Sequence, residues 1–230
     1  MSTLENYLQQ HFLNAAQFAS HCGIRETQLQ DWIQQQLIPR PSYVVTGDGH
    51  IVSDVFGALD AAGATPGDYF HPDMAVWVAR AQRLLKDDDA AQAGQVMQQE
   101  FGAQFGAALT QLHRSTWQLN DGVAHDADIQ ARTEAAWSHF LKGTFGVCVA
   151  HPVSEAAIAR KLVLQEKLRS LTDDGNKTNF TRDEAQIVLT TIAEFDQVAM
   201  AFSPADYARS SRKRLIDDMR ARLLVAAEPG

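Results

Sequence analysis

Apolar residues recur at helical spacing almost from the first residue. Leu4, Tyr7, Leu8 and Phe12 predict a short helix over 4–12. Asn14 is placed to cap a second helix, 15–21, which Gly23 ends as a left-handed residue. A third, 26–36, turns Leu29, Trp32 and Ile33 inward, with Leu37 and Ile38 closing the turn before Pro39 and Pro41 forbid continuation. YVVTGDGHIV, 43–52, then sets two β-branched runs around Gly-Asp-Gly, a hairpin signal.

Beyond residue 53 the pattern reads as helix throughout. SDVFGALDAAG predicts a helix capped by Ser53 and closed by Gly63. The next starts near Pro72 and runs to Leu85, with Met74, Trp77, Val78 and Ala81 on one face. KDDDAAQ, 86–92, can cap a long Ala- and Gln-rich helix, about 90–117, burying Val96, Phe101, Phe105, Leu109 and Leu112. A polar loop over 120–126 leads to a helix over 127–141. GTFGVCVAHP, 143–152, resists helix, with two glycines, β-branched neighbours and a terminal proline. Ser154 caps a helix to about Leu171, and Thr181-Arg-Asp-Glu makes a capping box for one to about Ala201. Ser203-Pro204-Ala-Asp206 opens a last helix reaching about Val225. The expected fold is mainly α: an N-terminal winged-helix-like module with one β-hairpin over residues 1–60, then a larger helical domain over 61–230.

Composition narrows the class. With 45% hydrophobic residues in 230, the chain can bury a real core. No apolar run approaches the roughly 20 residues of a membrane span, and MSTLENYLQQHF lacks the basic head and apolar core of a signal peptide. Two cysteines, Cys22 and Cys148, are too few for a disulfide framework, so a reduced cytoplasmic protein is expected. Residues 1–142 hold 8 Lys+Arg against 16 Asp+Glu; residues 143–230 hold 12 of each. The whole net charge of −8 therefore lies in the part that contains the N-terminal module.

Ala19, Gly23, Ile24, Leu29, Ile33, Leu37, Ile38 and Pro39, with Tyr43 to Val52 as a wing, resemble the MerR-type winged helix-turn-helix. The resemblance covers about a quarter of the chain and implies a fold more than DNA binding, because these are core and turn positions. Arg25, Gln28 and Arg40 are the residues that would face DNA. Arg25 and Arg40 are the only cations in residues 1–60, against Glu5, Glu26, Asp31, Asp48, Asp54 and Asp60. That balance suits a scaffold better than a surface that displaces counterions from phosphate.

Candidate chemistry concentrates further on. Gly143 and Gly146 would permit close backbone approach to a ligand. Cys148 and His151 are weak catalytic candidates, since a cysteine flanked by Val147 and Val149 is more often an inert core residue. Arg209, Arg212, Lys213, Arg214, Arg220 and Arg222 crowd the last helix. Arg212 with Ser211 could hold a carboxylate or phosphate, with Arg160 and Lys161 adding to an anion-binding cleft against GTFGVC. Pairing of these arginines with nearby aspartates is the competing expectation. His71, His113, His125 and His139 lie on separate elements without metal-ligand spacing. No phosphate loop, dinucleotide fingerprint or nucleophile elbow is present, so neither metal nor cofactor is expected.

YLQQHFLNAAQFASHCGI with LIPRPSYVV, WSHFLKGTFGVCV and FSPADYARSSRKRLID together resemble an uncharacterised bacterial family named for its occurrence in natural-product biosynthesis gene clusters. The resemblance implies context and no catalytic residues. The expected function is an accessory protein or unrecognised enzyme binding a small anionic or carrier-bound metabolite. The alternatives are a MerR-like ligand-responsive transcriptional regulator and a homodimeric interaction module built on helix 90–117.

Overall fold

In the computed structural model, which describes residues 3–61, 63–116 and 126–227, the N-terminal third forms a small sheet framed by helices. α1 (Thr3–His11) leads through β1 (Leu13–Asn14) into α2 (Ala15–His21). Asn14 caps α2 reciprocally with Gln17, and Gly23 follows at φ 66°. α3 (Glu26–Gln34) buries Leu29 and Trp32. β2 (Tyr43–Val45) and β3 (His50–Ser53) make the expected hairpin, with Val44 opposite Val52 and Val45 opposite Ile51.

The sheet is larger than that hairpin. Its antiparallel order is β1-β5-β2-β3-β4, with β4 (Gly57–Asp60) and β5 (Gly67–Phe70) coming from a stretch that reads partly as helix. Ser53 does cap, but it caps a turn: its Oγ accepts from the Phe56 amide at 3.2 Å, and Gly57 then reverses the chain at φ 70°. Residues 57–60 have modest helix propensity, and the open edge of β3 outweighs it by pairing His50 with Asp60 through Ser53 with Gly57. β5 pairs on one side with β2 and on the other with β1. Phe18 of α2 stacks on Phe70 of β5 at 4.7 Å, which fixes the helices to the sheet.

The rest is helical. A 3-10 turn at Pro72–Met74 leads into α4 (Ala75–Leu84), then α5 (Ala90–Thr116), α6 (Asp126–Leu141), α7 (Thr144–Cys148), α8 (Glu155–Leu171) and α9 (Arg182–Val198). Asp89 caps the start of α5, Ser154 caps α8, and Thr181 with Glu184 closes the capping box of α9. The expected loop over 120–126 lies, up to residue 125, outside the described residues. The small face of α5 is covered within the chain, because Gly102 and Gly106 lie against Thr133 and Ile129 of α6.

Two apolar cores result. One gathers residues from Leu4 to Phe202, including Tyr43, Phe70, Trp77, Phe101 and Phe140. The other holds Leu164, Leu168, Val188, Ile192, Phe195 and Leu215 between α8, α9 and the C-terminal helices. The chain is thus mainly α, with a larger helical region behind the sheet.

Besides the segment 53–63, two further expectations about local structure fail for identifiable reasons. GTFGVC forms the short helix α7, because Phe145, Val147 and Cys148 all find buried places and Gly143, at φ 79°, supplies its N-terminal turn. Packing here overrides a poor intrinsic propensity. The last helix starts late. Ser203 and Asp206 bond each other, a 3-10 turn covers Tyr207–Arg209, and a π-turn over Lys213–Asp217 precedes α10 (Asp218–Ala227).

His71 lies at the seam between the two regions. It is 6% exposed, and its Nδ1 accepts from the Asp73 amide at 3.2 Å. Burial, opposed by Asp73 and reinforced by His151, lowers its pKa from 6.5 to about 4. The folded state therefore binds fewer protons there than the unfolded chain. Stability from this group is fully present above pH 6.5 and is lost as pH falls through about 4, an interval equivalent to roughly 3 kcal/mol. Urea denaturation from pH 7 to 4 should show this loss, and His71→Gln should flatten the slope.

Candidate functional site

A cavity of about 540 Å³ opens between α6, α7, α8, the β3–β4 turn and the segment 202–214. Such a volume suits a drug-sized ligand. Phe56, Phe105, Phe145, Leu162 and Phe202 give it apolar walls, with Ala135 and Ala136 beside them. Arg132, Lys161, Arg209 and Arg214 line it against a single acid, Glu166. In a chain of net charge −8, this is a local reversal of sign.

Two straps hold the walls. Asp54, in the β3–β4 turn, accepts from Thr144 Oγ1 at 2.9 Å, with Lys142 and His139 at 3.7 and 3.6 Å. On the other side, Tyr43 donates to Asp206 at 2.5 Å and Ser203 does so at 2.7 Å, while Tyr7 donates to the Ala201 carbonyl at 2.6 Å. These bonds tie the C-terminal segment to the sheet. Phe202 then meets Phe56 edge to face at 5.5 Å, and Arg209 donates to the Phe56 carbonyl at 3.3 Å.

The cations differ in what they are already bound to. Arg132 bonds Glu166 at 2.6 Å, and Arg214 lies 3.1 Å from Asp174. Lys161 is 4% exposed, and its Nζ donates to the amide oxygen of Gln165 at 2.5 Å. No carboxylate is paired with it among the described residues. Buried Glu155, by contrast, has a counter-charge: it is held by Arg80 at 2.7 Å, and Arg80 also bonds Glu100 and lies over Trp77. An ammonium out of water without a counter-ion is costly.

Of the residues singled out in the sequence, the structure brings Cys148, Lys161 and Ser211 together on this cavity, joined by Arg209 and Arg214. Others are elsewhere. Gly143 and Gly146 admit the chain itself rather than a ligand: a Cβ at Gly143 would lie 2.5 Å from the Pro41 carbonyl oxygen, and one at Gly146 would collide with Ser42. Arg212 is not in the wall, because Asp196 of α9 binds it together with Arg220. Arg160 is exposed on α8 and is not among the lining residues. His151 pairs with Asp73 at 2.8 Å on the surface, apart from Cys148. Arg25, at the start of α3, and Arg40 are both exposed and Gln28 is half-buried; the Arg40 amide bonds the Leu141 carbonyl of α6. Among the described residues no three His, Cys, Asp or Glu side chains gather as metal ligands would; His125 and the side chain of His113 lie outside them. Nor is any helix among them long and apolar enough to cross a membrane.

Sequence reading missed Gln165, Arg132, Phe56 and Phe202. The spacing of Lys161 and Gln165, one helical turn apart, was the available signal for the first. Phe56 had none, since its segment reads as helix.

Fold and site together define a mainly helical protein with a small N-terminal sheet and a cationic, aromatic-walled cavity. The chain belongs to the DUF6058 family, a family of unknown function whose model matches residues 97–224. That span holds every wall of the cavity except the β3–β4 turn. No curated protein and no solved structure matches the chain.

The Asp206 clamp has a pH signature of its own. Burial raises the Asp206 carboxyl above its ordinary 3.8, against the opposing bonds from Tyr43 and Ser203. The folded state thus holds the proton longer. Its contribution is complete below pH 3.8 and is lost as pH rises through the raised value. Asp206→Asn keeps an acceptor without the charge and should be at least as stable as the parent at pH 7. Asp206→Ala strands the Tyr43 hydroxyl and should cost about 1–3 kcal/mol in urea denaturation.

Proposed function

We propose that this protein holds a small organic anion with an apolar body in the cavity beside α8. We place it among accessory proteins or enzymes of bacterial natural-product biosynthesis. The supporting observation is Lys161: buried, lining an aromatic-walled cavity, and bonded to an amide rather than to an acid. A ligand's negative charge would supply the missing partner, and Phe145 and Phe202 would cover its apolar part. Arg209, exposed at the rim and in no ion pair with a carboxylate among the described residues, favours entry of anions over neutral molecules.

The order of α2, α3 and the β2–β3 hairpin favours a second reading, a MerR-like regulator that senses the same ligand. The exposed Arg25 stands beside Glu26, and this charge balance opposes tight binding to DNA.

Anilinonaphthalene sulfonate, an aromatic monoanion that fluoresces in apolar surroundings, should bind the native protein. Lys161→Met should weaken that binding by roughly tenfold or more, as loss of a charge-assisted contact requires. Unchanged binding by a folded Lys161→Met variant would remove the cavity from consideration. A gel shift with the gene's own upstream DNA at low salt separates the two readings, and absence of retardation ends the regulator.

A further inference from the structure

We infer that Lys161 and Gln165 form a carboxylate-recognition pair, and that the ligand of the cavity is an aromatic monocarboxylate. This rests on the reading of the cavity as an anion site. The two residues are one turn apart on α8, so they share a face. Lys161 Nζ donates to Gln165 Oε1 at 2.5 Å. That bond occupies the amide's acceptor oxygen and leaves its NH2 group beside two further ammonium N–H groups. The result is a pair of adjacent donors, which a planar acceptor with two oxygens can bridge by taking one bond from each.

Charge favours the same ligand. The cavity offers one buried cation free of an acid, and a monoanion matches it. A phosphate monoester would bring about two negative charges at neutral pH. Its further charge would need Arg132 or Arg214, which are already bonded to Glu166 and Asp174, or Arg209, which lies exposed at the rim with its guanidinium on the Phe56 carbonyl. The arrangement on α8 also explains how Lys161 stays uncompensated. The neighbouring acid, Glu166, is held by Arg132 of α6 at 2.6 Å, and position 165 carries the amide where an acid would neutralise the lysine. The aromatic walls select the body of the ligand: Phe56 and Phe202 meet edge to face at 5.5 Å, and Phe145 is fully buried beside Cys148. A flat ring system packs against such rings better than a flexible chain does.

The test uses the full-length protein loaded with anilinonaphthalene sulfonate and titrated with 2-naphthoate, 2-naphthyl phosphate or 2-naphthalenemethanol. The expected result is displacement by naphthoate at concentrations roughly tenfold or more below those of the other two. Gln165→Glu gives Lys161 an acid of its own, so naphthoate affinity should fall at least about tenfold while the melting temperature holds or rises. Gln165→Met removes one of the two donors and should weaken naphthoate by roughly fivefold or more; this variant decides between the outcomes if the glutamate disturbs folding. Phosphate displacing better than carboxylate, or Gln165 variants binding naphthoate like the parent, would overturn the carboxylate assignment and leave the anion site standing. No binding of the fluorescent anion at all would overturn both.

Discussion

At Gly143 and Gly146 the chain passes so close to residues 40–42 and to His71 that a Cβ at either glycine would collide. Gly143 faces the carbonyls of Arg40 and Pro41, and Gly146 faces Ser42 and His71. The contact is extended by hydrogen bonds from the Arg40 amide to Leu141, from Ala150 to Val198 and from Met200 to Cys148, so three distant pieces of chain meet at one short helix. Trp77 adds a bond from its indole to the Pro152 carbonyl at 2.7 Å. The sheet and the helical region are joined here by backbone proximity, and interiors packed at this density transmit any added volume as strain. The cavity depends on the same joint, since α7 forms one of its walls and the β3–β4 turn, bonded to α7 through Asp54 and Thr144, forms another.

A second principle organises the polar groups. Buried charges in this molecule are compensated with care: Glu155 by Arg80, Asp206 by two hydroxyls, Glu5 by the Thr65 amide and hydroxyl. Lys161, like Asp206, has a neutral partner, the Gln165 amide oxygen, and it sits in the wall of the cavity. Functional sites are where buried charges without an opposite charge tend to collect. The cationic cast of this cavity is invisible in the net charge, because the acids of the N-terminal part dominate the sum.

The legibility of the chain varied by the kind of signal. Caps were readable at single residues, as at Asn14, Ser154 and Thr181, because a capping side chain bonds a backbone amide three residues away. The segment 53–63 was misleading because its composition suits a helix, while its fate was decided by the unpaired edge of β3. GTFGVC misled in the opposite sense, poor in propensity yet helical once its apolar residues were buried. The start of the last helix shifted because Asp206, a plausible first-turn acid, was recruited by Tyr43, which lies 163 positions earlier. In each case a long-range partner outweighed a local preference of a fraction of a kcal/mol per residue.

Local order thus came from the sequence itself: the mainly helical class, the caps, the hairpin at 43–52 and the acidic N-terminal part. Those features rest on interactions within a few residues or on composition, both of which are written along the chain. Which cations meet was decided only in three dimensions. Arg212 and Arg160 were as plausible as Lys161 by spacing, yet one was claimed by Asp196 and the other left in water, while Lys161 was enclosed. Burial and pairing are properties of the packed interior, where distance in space replaces distance in sequence.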